Sequence, residues 1–221
     1  MIVEILKELY PIECGLDNNR IVLSEVTKNE PFSLLDKKAC IDCKRKKQFR
    51  VNCNEEILLV NNNGKDIDVV DFEEYVNQNS FKATKVCDRI LADSGKNRRK
   101  IVFCELFCGE EKYVEPNEGV YPQGKRARAR EQMKASRELL LQKSVTGVNI
   151  LTFTEKICLF AWRDYNVPDD PIFAKRGDVN SNMLAMLTTP SNMANQTTTH
   201  HELMDNGFKF MQIKYPSVYN W

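Results

Sequence analysis

Residues 84–108 read TKVCDRILADSGKNRRKIVFCELFC: two β-rich runs, TKVCDRILAD and RKIVFCELFC, joined by SGKNRR. Gly95, Asn97 and the flanking charges suit an exposed reversal, so the two runs are predicted to form a β-hairpin. Centring the loop between Lys96 and Asn97 fixes the register, which opposes Asp93 to Lys100, Ile90 to Phe103 and Asp88 to Glu105. Directly opposed Cβ atoms lie about 5 Å apart, and two carboxylates there repel unless a cation or a proton lies between them.

The run IVFCELFC is apolar at both parities, as expected of a central strand covered on both faces, and Glu105 interrupts it. A buried carboxylate is costly unless it is paired, protonated or bound to metal. Two readings follow. In one, Asp88 and Glu105 share a Mg²⁺ ion, a hard cation that takes carboxylates and activates water for phosphodiester hydrolysis. In the other, Glu105 sits at a strand end and accepts a hydrogen bond or an Arg partner.

C-terminal to the hairpin, residues 125–143 contain neither Gly nor Pro, and Ala129, Met133, Ser136 and Leu140 follow a 3.6-residue stripe that predicts a packed helix. Arg126, Arg130, Lys134 and Arg137 form an adjacent cationic stripe, suited either to a phosphate backbone or to solvent. Then EKICLFAWRDY, apolar at both parities, predicts a second strand buried on both sides. A hairpin, a long helix and a returning buried strand describe an α/β fold, a central mixed β-sheet with helices flanking it.

This order of elements resembles the PD-(D/E)XK nuclease-like superfamily of restriction endonucleases and Holliday-junction resolvases. The matching pieces are Val86-Cys87-Asp88, Cys104-Glu105-Leu106-Phe107, Gln132 in the helix and the strand from Lys156 to Trp162. The resemblance covers residues 80–165 as a nuclease-like core, with 1–79 an N-terminal part of the same domain and 166–221 a C-terminal wrapping segment. It implies a catalytic set of Asp88, Glu105 and Gln132, with Mg²⁺ on the two carboxylates. The third position of the ExK element, normally the lysine that orients water and stabilises phosphate charge, is Phe107, which can do neither. Lys85, Lys100 or Lys112 could reach in from neighbouring elements. The resemblance therefore implies a degenerate nuclease-like subunit of a prokaryotic DNA-processing or anti-phage assembly, acting beside a larger protein subunit and binding DNA in some cases. An active divalent-metal-dependent DNA endonuclease is the alternative.

The N-terminal third is mixed. Ile2, Ile5, Leu6 and Leu9 predict a helix that Pro11 stops, and RIVLSEV at 20–26 predicts a strand. EEILLVNNNGKDIDVVDF gives two β-rich runs around Asn63-Gly64, the signature of a hairpin turn, and Asp71 with Glu74 predicts a helix cap. Residues 44–50, KRKKQFR, and 125–137, KRARAREQMKASR, are basic and flank an acidic stretch at 54–74. Cys40 and Cys43 have CxxC spacing and, with Cys14 and Cys53, could hold one zinc in a protein-interaction module, although the second half of a zinc knuckle is missing. At the other end, Asn, Thr and Pro clusters predict long loops carrying His200 and His201, followed by a strand, FKFMQIKY, and the large rings Tyr215, Tyr219 and Trp221.

Over all 221 residues, 42% are hydrophobic and 29% charged, which excludes disordered and collagen-like classes. Lys plus Arg (32) and Asp plus Glu (31) nearly cancel, so no global excess of positive charge marks a generic nucleic-acid binder. Glu4, Lys7 and Glu8 break up the N-terminal apolar stretch, so neither a secretory signal nor a membrane anchor is expected. The expected setting is the cytoplasm, with reduced thiols.

Overall fold

The computed structural model describes residues 1–17, 20–27, 31–35, 56–81, 85–95, 98–119, 122–164, 202–203 and 205–221. The strands are β1 (Ser24–Thr27), β2 (Phe32–Leu35), β3 (Glu56–Asn61), β4 (Ile67–Asp71), β5 (Arg89–Asp93), β6 (Lys100–Cys108), β7 (Glu155–Arg163), β8 (Glu202–Leu203), β9 (Phe208–Lys214) and β10 (Val218–Asn220). Seven of them form one mixed sheet in the order β1-β4-β5-β6-β7-β9-β8. The chain is α/β, with helices flanking this central sheet.

The predicted hairpin forms in the predicted register: β5 and β6 are antiparallel, with Ile90 opposite Phe103 and Arg89 opposite Cys104. β4 precedes them antiparallel to β5, so β4-β5-β6 is a meander. The chain then crosses through helix α3 (Gly124–Leu141) and the short helix α4 (Ser144–Leu151) to β7, which lies parallel to β6. β9 adds a third parallel strand beside β7. β6 and β7 are buried on both faces because α3 covers one face and a smaller sheet covers the other, which is why neither strand alternates. Ala129, Met133, Ser136 and Leu140 are the buried side of α3, as their spacing predicts, and Met133 sits in the core on the helix-covered face.

The smaller sheet, in the order β10-β3-β2, corrects one expectation. Asn63-Gly64 does make a tight reversal, with positive φ at both residues and a Lys65 N–H to Asn62 carbonyl bond of 3.1 Å. The reversal does not close a hairpin. β3 leaves it to pair with β2 and β10, whereas β4 joins the central sheet. Tyr219 and Trp221 close the core between the two sheets.

Pro11 does not stop the N-terminal helix either. Helix α1 runs as three contiguous pieces, Ile2–Glu4, a π turn over Ile5–Leu9, and Tyr10–Glu13. Proline has no N–H to donate to the carbonyl four or five residues back. Both carbonyls find donors elsewhere: the Tyr75 hydroxyl donates to Leu6 O at 2.6 Å, and Arg20 N–H to Lys7 O at 3.3 Å. Helix α2 (Phe72–Gln78) begins at its predicted cap, where the Asp71 carboxylate accepts from Glu74 N–H at 3.3 Å. Among the described residues no helix is long and apolar enough to cross a membrane.

Candidate functional site

The ladder between β5 and β6 ends at Arg89, and the chain bends at Asp88 just before it. There the two predicted carboxylates are engaged reciprocally. Asp88 Oδ2 accepts the backbone N–H of Leu106 at 2.8 Å, standing in for a ladder carbonyl, while the backbone N–H of Asp88 donates to Glu105 Oε2 at 3.2 Å. Asp88 is buried and Glu105 half-buried, so Glu105 is less enclosed than its strand implies. The bend itself is collared. The Asp88 carbonyl accepts from Phe72 N–H at 3.0 Å and from Arg89 Nη1 at 2.8 Å, and the same Nη1 pairs with Asp71 Oδ1 at 3.0 Å. Arg89 and Asp71 are both essentially inaccessible, so breaking this pair would strand a buried charge.

Two carboxylates brought together across adjacent strands and oriented by backbone N–H groups are a donor set suited to a hard divalent cation. Among the described residues no group of three or more His, Cys, Asp and Glu side chains is arranged to hold a metal ion. Gln132 lies on α3 beside them, its Nε2 donating to the Val86 carbonyl at 3.2 Å. The thiols nearby, Cys87 and Cys104, are held well above their ordinary pKa by burial, so neither is a ready nucleophile.

At the position of the motif lysine, the Phe107 ring lies on the α3-covered face and packs so closely beneath Gly109 that a Cβ there would meet the ring at 2.5 Å. A cation nevertheless reaches it. Lys125, in the first turn of α3, places Nζ 5.0 Å from the Phe107 ring centroid. Of the lysines considered from sequence, Lys112 is exposed and paired with Glu110. Lys100 is five residues down β6 from Glu105; it pairs with Glu155 at 3.3 Å, and Nζ lies 5.3 Å from both the Tyr219 and the Trp221 rings. Burial lowers its pKa against the pull of Glu155. Lys85 lines a groove of about 360 Å³ with Gln123, Arg128, Glu131, Gln132 and Ala135.

Lys125 escaped sequence reading because it lies far along the chain from Phe107. The available signal was GKRARAR, four cations in the first two turns of a helix with no acidic residue in its first turn and no side-chain cap. Cations at that end oppose the helix dipole by about 0.3–1 kcal/mol each.

The predicted cationic stripe does not form one solvent-facing surface. Arg137 is buried, its guanidinium 5.0 Å from the Phe208 ring and Nη1 donating to the Asp205 carbonyl at 3.0 Å. Arg130 stacks 5.3 Å from the Phe210 ring, and Arg126 pairs with Glu115 at 2.7 Å. Lys134 is the exposed member, 3.8 Å from Glu138. The stripe splits because β9 brings its two phenylalanines under that edge of α3. Of the predicted zinc residues, Cys14 is half-buried and unoxidised, while Cys40, Cys43 and Cys53 lie outside the described residues, as do His200 and His201. The chain matches no protein-family model, and no curated protein or solved structure is significantly similar to it.

Proposed function

We propose that this chain is a nuclease-like subunit with a degenerate site, working beside a larger protein in a prokaryotic DNA-processing or anti-phage complex. The observation that carries the reading is the reciprocal Asp88–Glu105 arrangement at the mouth of β5, within a meander-helix-parallel-strand core, next to a phenylalanine where the family pattern has lysine. Asp88 and Glu105 would hold Mg²⁺, which polarises a phosphoryl oxygen and lowers the pKa of bound water. Phe107 supplies no charge to the phosphate, and DNA contact falls to the accessible cations of α3, Arg126 and Lys134, rather than to Arg137.

The purified chain with Mg²⁺ or Mn²⁺ is expected to leave double- and single-stranded DNA intact. Robust cleavage abolished by Glu105→Ala would overturn the degenerate reading. One observation favours the alternative, an active metal-dependent endonuclease: Lys125 Nζ lies over the Phe107 ring, on the sheet face that strand parity gives to Glu105. In that case Lys125→Ala should remove cleavage by about 10²-fold or more, the scale of losing one electrostatic stabiliser.

A further inference from the structure

Among the described residues seven large apolar side chains are exposed, and five of them belong to one corner of the molecule. Val145, Val148 and Leu151 come from α4, and Ile12 and Leu16 from the end of α1 and the turn after it. Glu13 ties the two elements together, because its carboxylate accepts the Val145 and Thr146 N–H groups at 2.8 and 2.7 Å. The Leu16 N–H donates to the Pro11 carbonyl at 2.9 Å, which folds the turn back onto the same end of α1. Steps of three along a helix advance by about 300°, so Val145, Val148 and Leu151 span a stripe about 120° wide. Thr146, Gly147 and Ile150 are the buried side. α4 is therefore apolar outward as well as inward and contains no charged residue, in a chain of which 29% is charged. A helix apolar on both sides belongs between two packed layers, and the described residues supply only the inner one.

The charges bordering α4 indicate what the outer layer is. At its start the Glu13 carboxylate is engaged by α4 itself, and Lys143 Nζ donates to the Glu13 carbonyl at 3.1 Å. At its end Lys156 Nζ donates to the Phe153 and Leu151 carbonyls at 2.8 and 3.4 Å. Each of these charges is turned inward on the chain, so a charged partner finds no counter-charge beside the stripe. A second copy needs none. In a two-fold contact each patch meets itself, and any uncompensated charge would oppose its own image, so a neutral aliphatic face is the kind that pairs with itself without repulsion.

We infer that α4 and the end of α1 form a two-fold interface with a second copy of this chain, with Val148 at the axis. Val148 is the most exposed of the five, at 64%, and lies midway between Val145 and Leu151, which puts it at the centre of the stripe. The five side chains expose on the order of 400 Å², the size at which a patch on a monomer marks an interaction surface. That is about half of what a standard interface removes from each partner, so the dimer is a weak, reversible one. The interface involves neither Asp88 nor Glu105 and stands whether or not those residues hold a metal.

Sedimentation equilibrium of the full chain tests the interface. Between about 1 and 300 µM the weight-average mass should climb from one chain toward two and level there, with half-association on the order of 30 µM, as a small apolar contact implies. Val148→Glu alters a side chain that faces solvent in the single chain, so the circular dichroism spectrum and thermal melt should stay as in wild type. Its association should weaken by about thirtyfold or more, because two carboxylates would face each other across the axis. Val148→Lys should behave likewise on its own. An equimolar mixture of the two variants should restore the dimer, since opposite charges then meet; a different protein, or another segment of this chain, covering the face would give no such rescue. A mass that stays at one chain over the whole range, one that passes two without levelling, a Val148→Glu chain that associates as tightly as wild type, or a mixture that stays monomeric overturns the inference.

Discussion

At one end of β5 the Asp93 carboxylate takes the backbone N–H of Lys100 at 2.7 Å, and at the other the Asp88 carboxylate takes that of Leu106 at 2.8 Å. Each aspartate replaces a ladder carbonyl where regular pairing stops. Asp93 gives its second oxygen to the Trp221 indole at 2.7 Å, a cross-link between the two sheets. Asp88 instead has its own backbone N–H on a second carboxylate, Glu105. The same local device is tied to an indole donor at one end and, at the other, has a second carboxylate on the aspartate's own backbone N–H. Strand termination alone explains the first end; it leaves the second with an acidic pair that termination does not require.

The largest expected effect tests the end finished by a donor. Asp93→Ala strands two buried donors, the Lys100 N–H and the Trp221 indole, and should lower unfolding free energy by about 3 kcal/mol in urea titrations. A loss under about 1 kcal/mol would mean that water replaces the carboxylate and the two ends are more alike than they look. Asp88→Asn should cost only about 1 kcal/mol, because the amide oxygen still accepts from Leu106, while Mn²⁺ binding measured by calorimetry disappears. Glu105→Gln should change stability by less than about 1 kcal/mol, since the amide oxygen still accepts from the Asp88 N–H. A large destabilisation would show that the acidic pair is structural after all.

The smallest effect extends the comparison to a third carboxylate bound to backbone N–H groups. Glu13 accepts from Val145 and Thr146 N–H and from the Ser144 hydroxyl at the start of α4. Desolvation pushes its pKa up, but these bonds outweigh it and hold the group at about 2. A depressed carboxyl contributes stability that is complete above the ordinary carboxylate range and lost as pH falls from there through about 2. Thermal melts should therefore show wild type slightly more stable than Glu13→Gln at pH 7, with the gap closing as pH falls from about 5 toward 2.

Local signals carried much of this architecture. The register of β5 and β6 was legible because Gly95 and its charged neighbours place the reversal, and α3 because Ala129, Met133, Ser136 and Leu140 keep helical spacing. What failed depended on distant partners. Nothing near Pro11 announces that Tyr75 and Arg20 will supply donors to Leu6 and Lys7. Nothing near Asn63-Gly64 announces that β10 will claim β3 in place of β4. At the site, sequence brought Asp88 and Glu105 together but could not place Lys125 over Phe107 or put Phe208 and Phe210 beneath Arg137 and Arg130, because helix-to-sheet placement is tertiary.

The claim of β10 on β3 has its own consequence. β3, EILLVN, is among the most apolar strands of the chain, and its parallel partner lies 159 residues away, as the Asn61–Asn220 pair shows. Closing so long a loop is entropically slow, so β3 depends in the meantime on β2 alone to shield one edge. A β-prone hexamer whose one charge is its first residue, Glu56, and whose edge is open is a template for intermolecular stacking. Conditions that loosen β10 should therefore reveal themselves first as aggregation seeded at residues 56–61, before the central sheet melts.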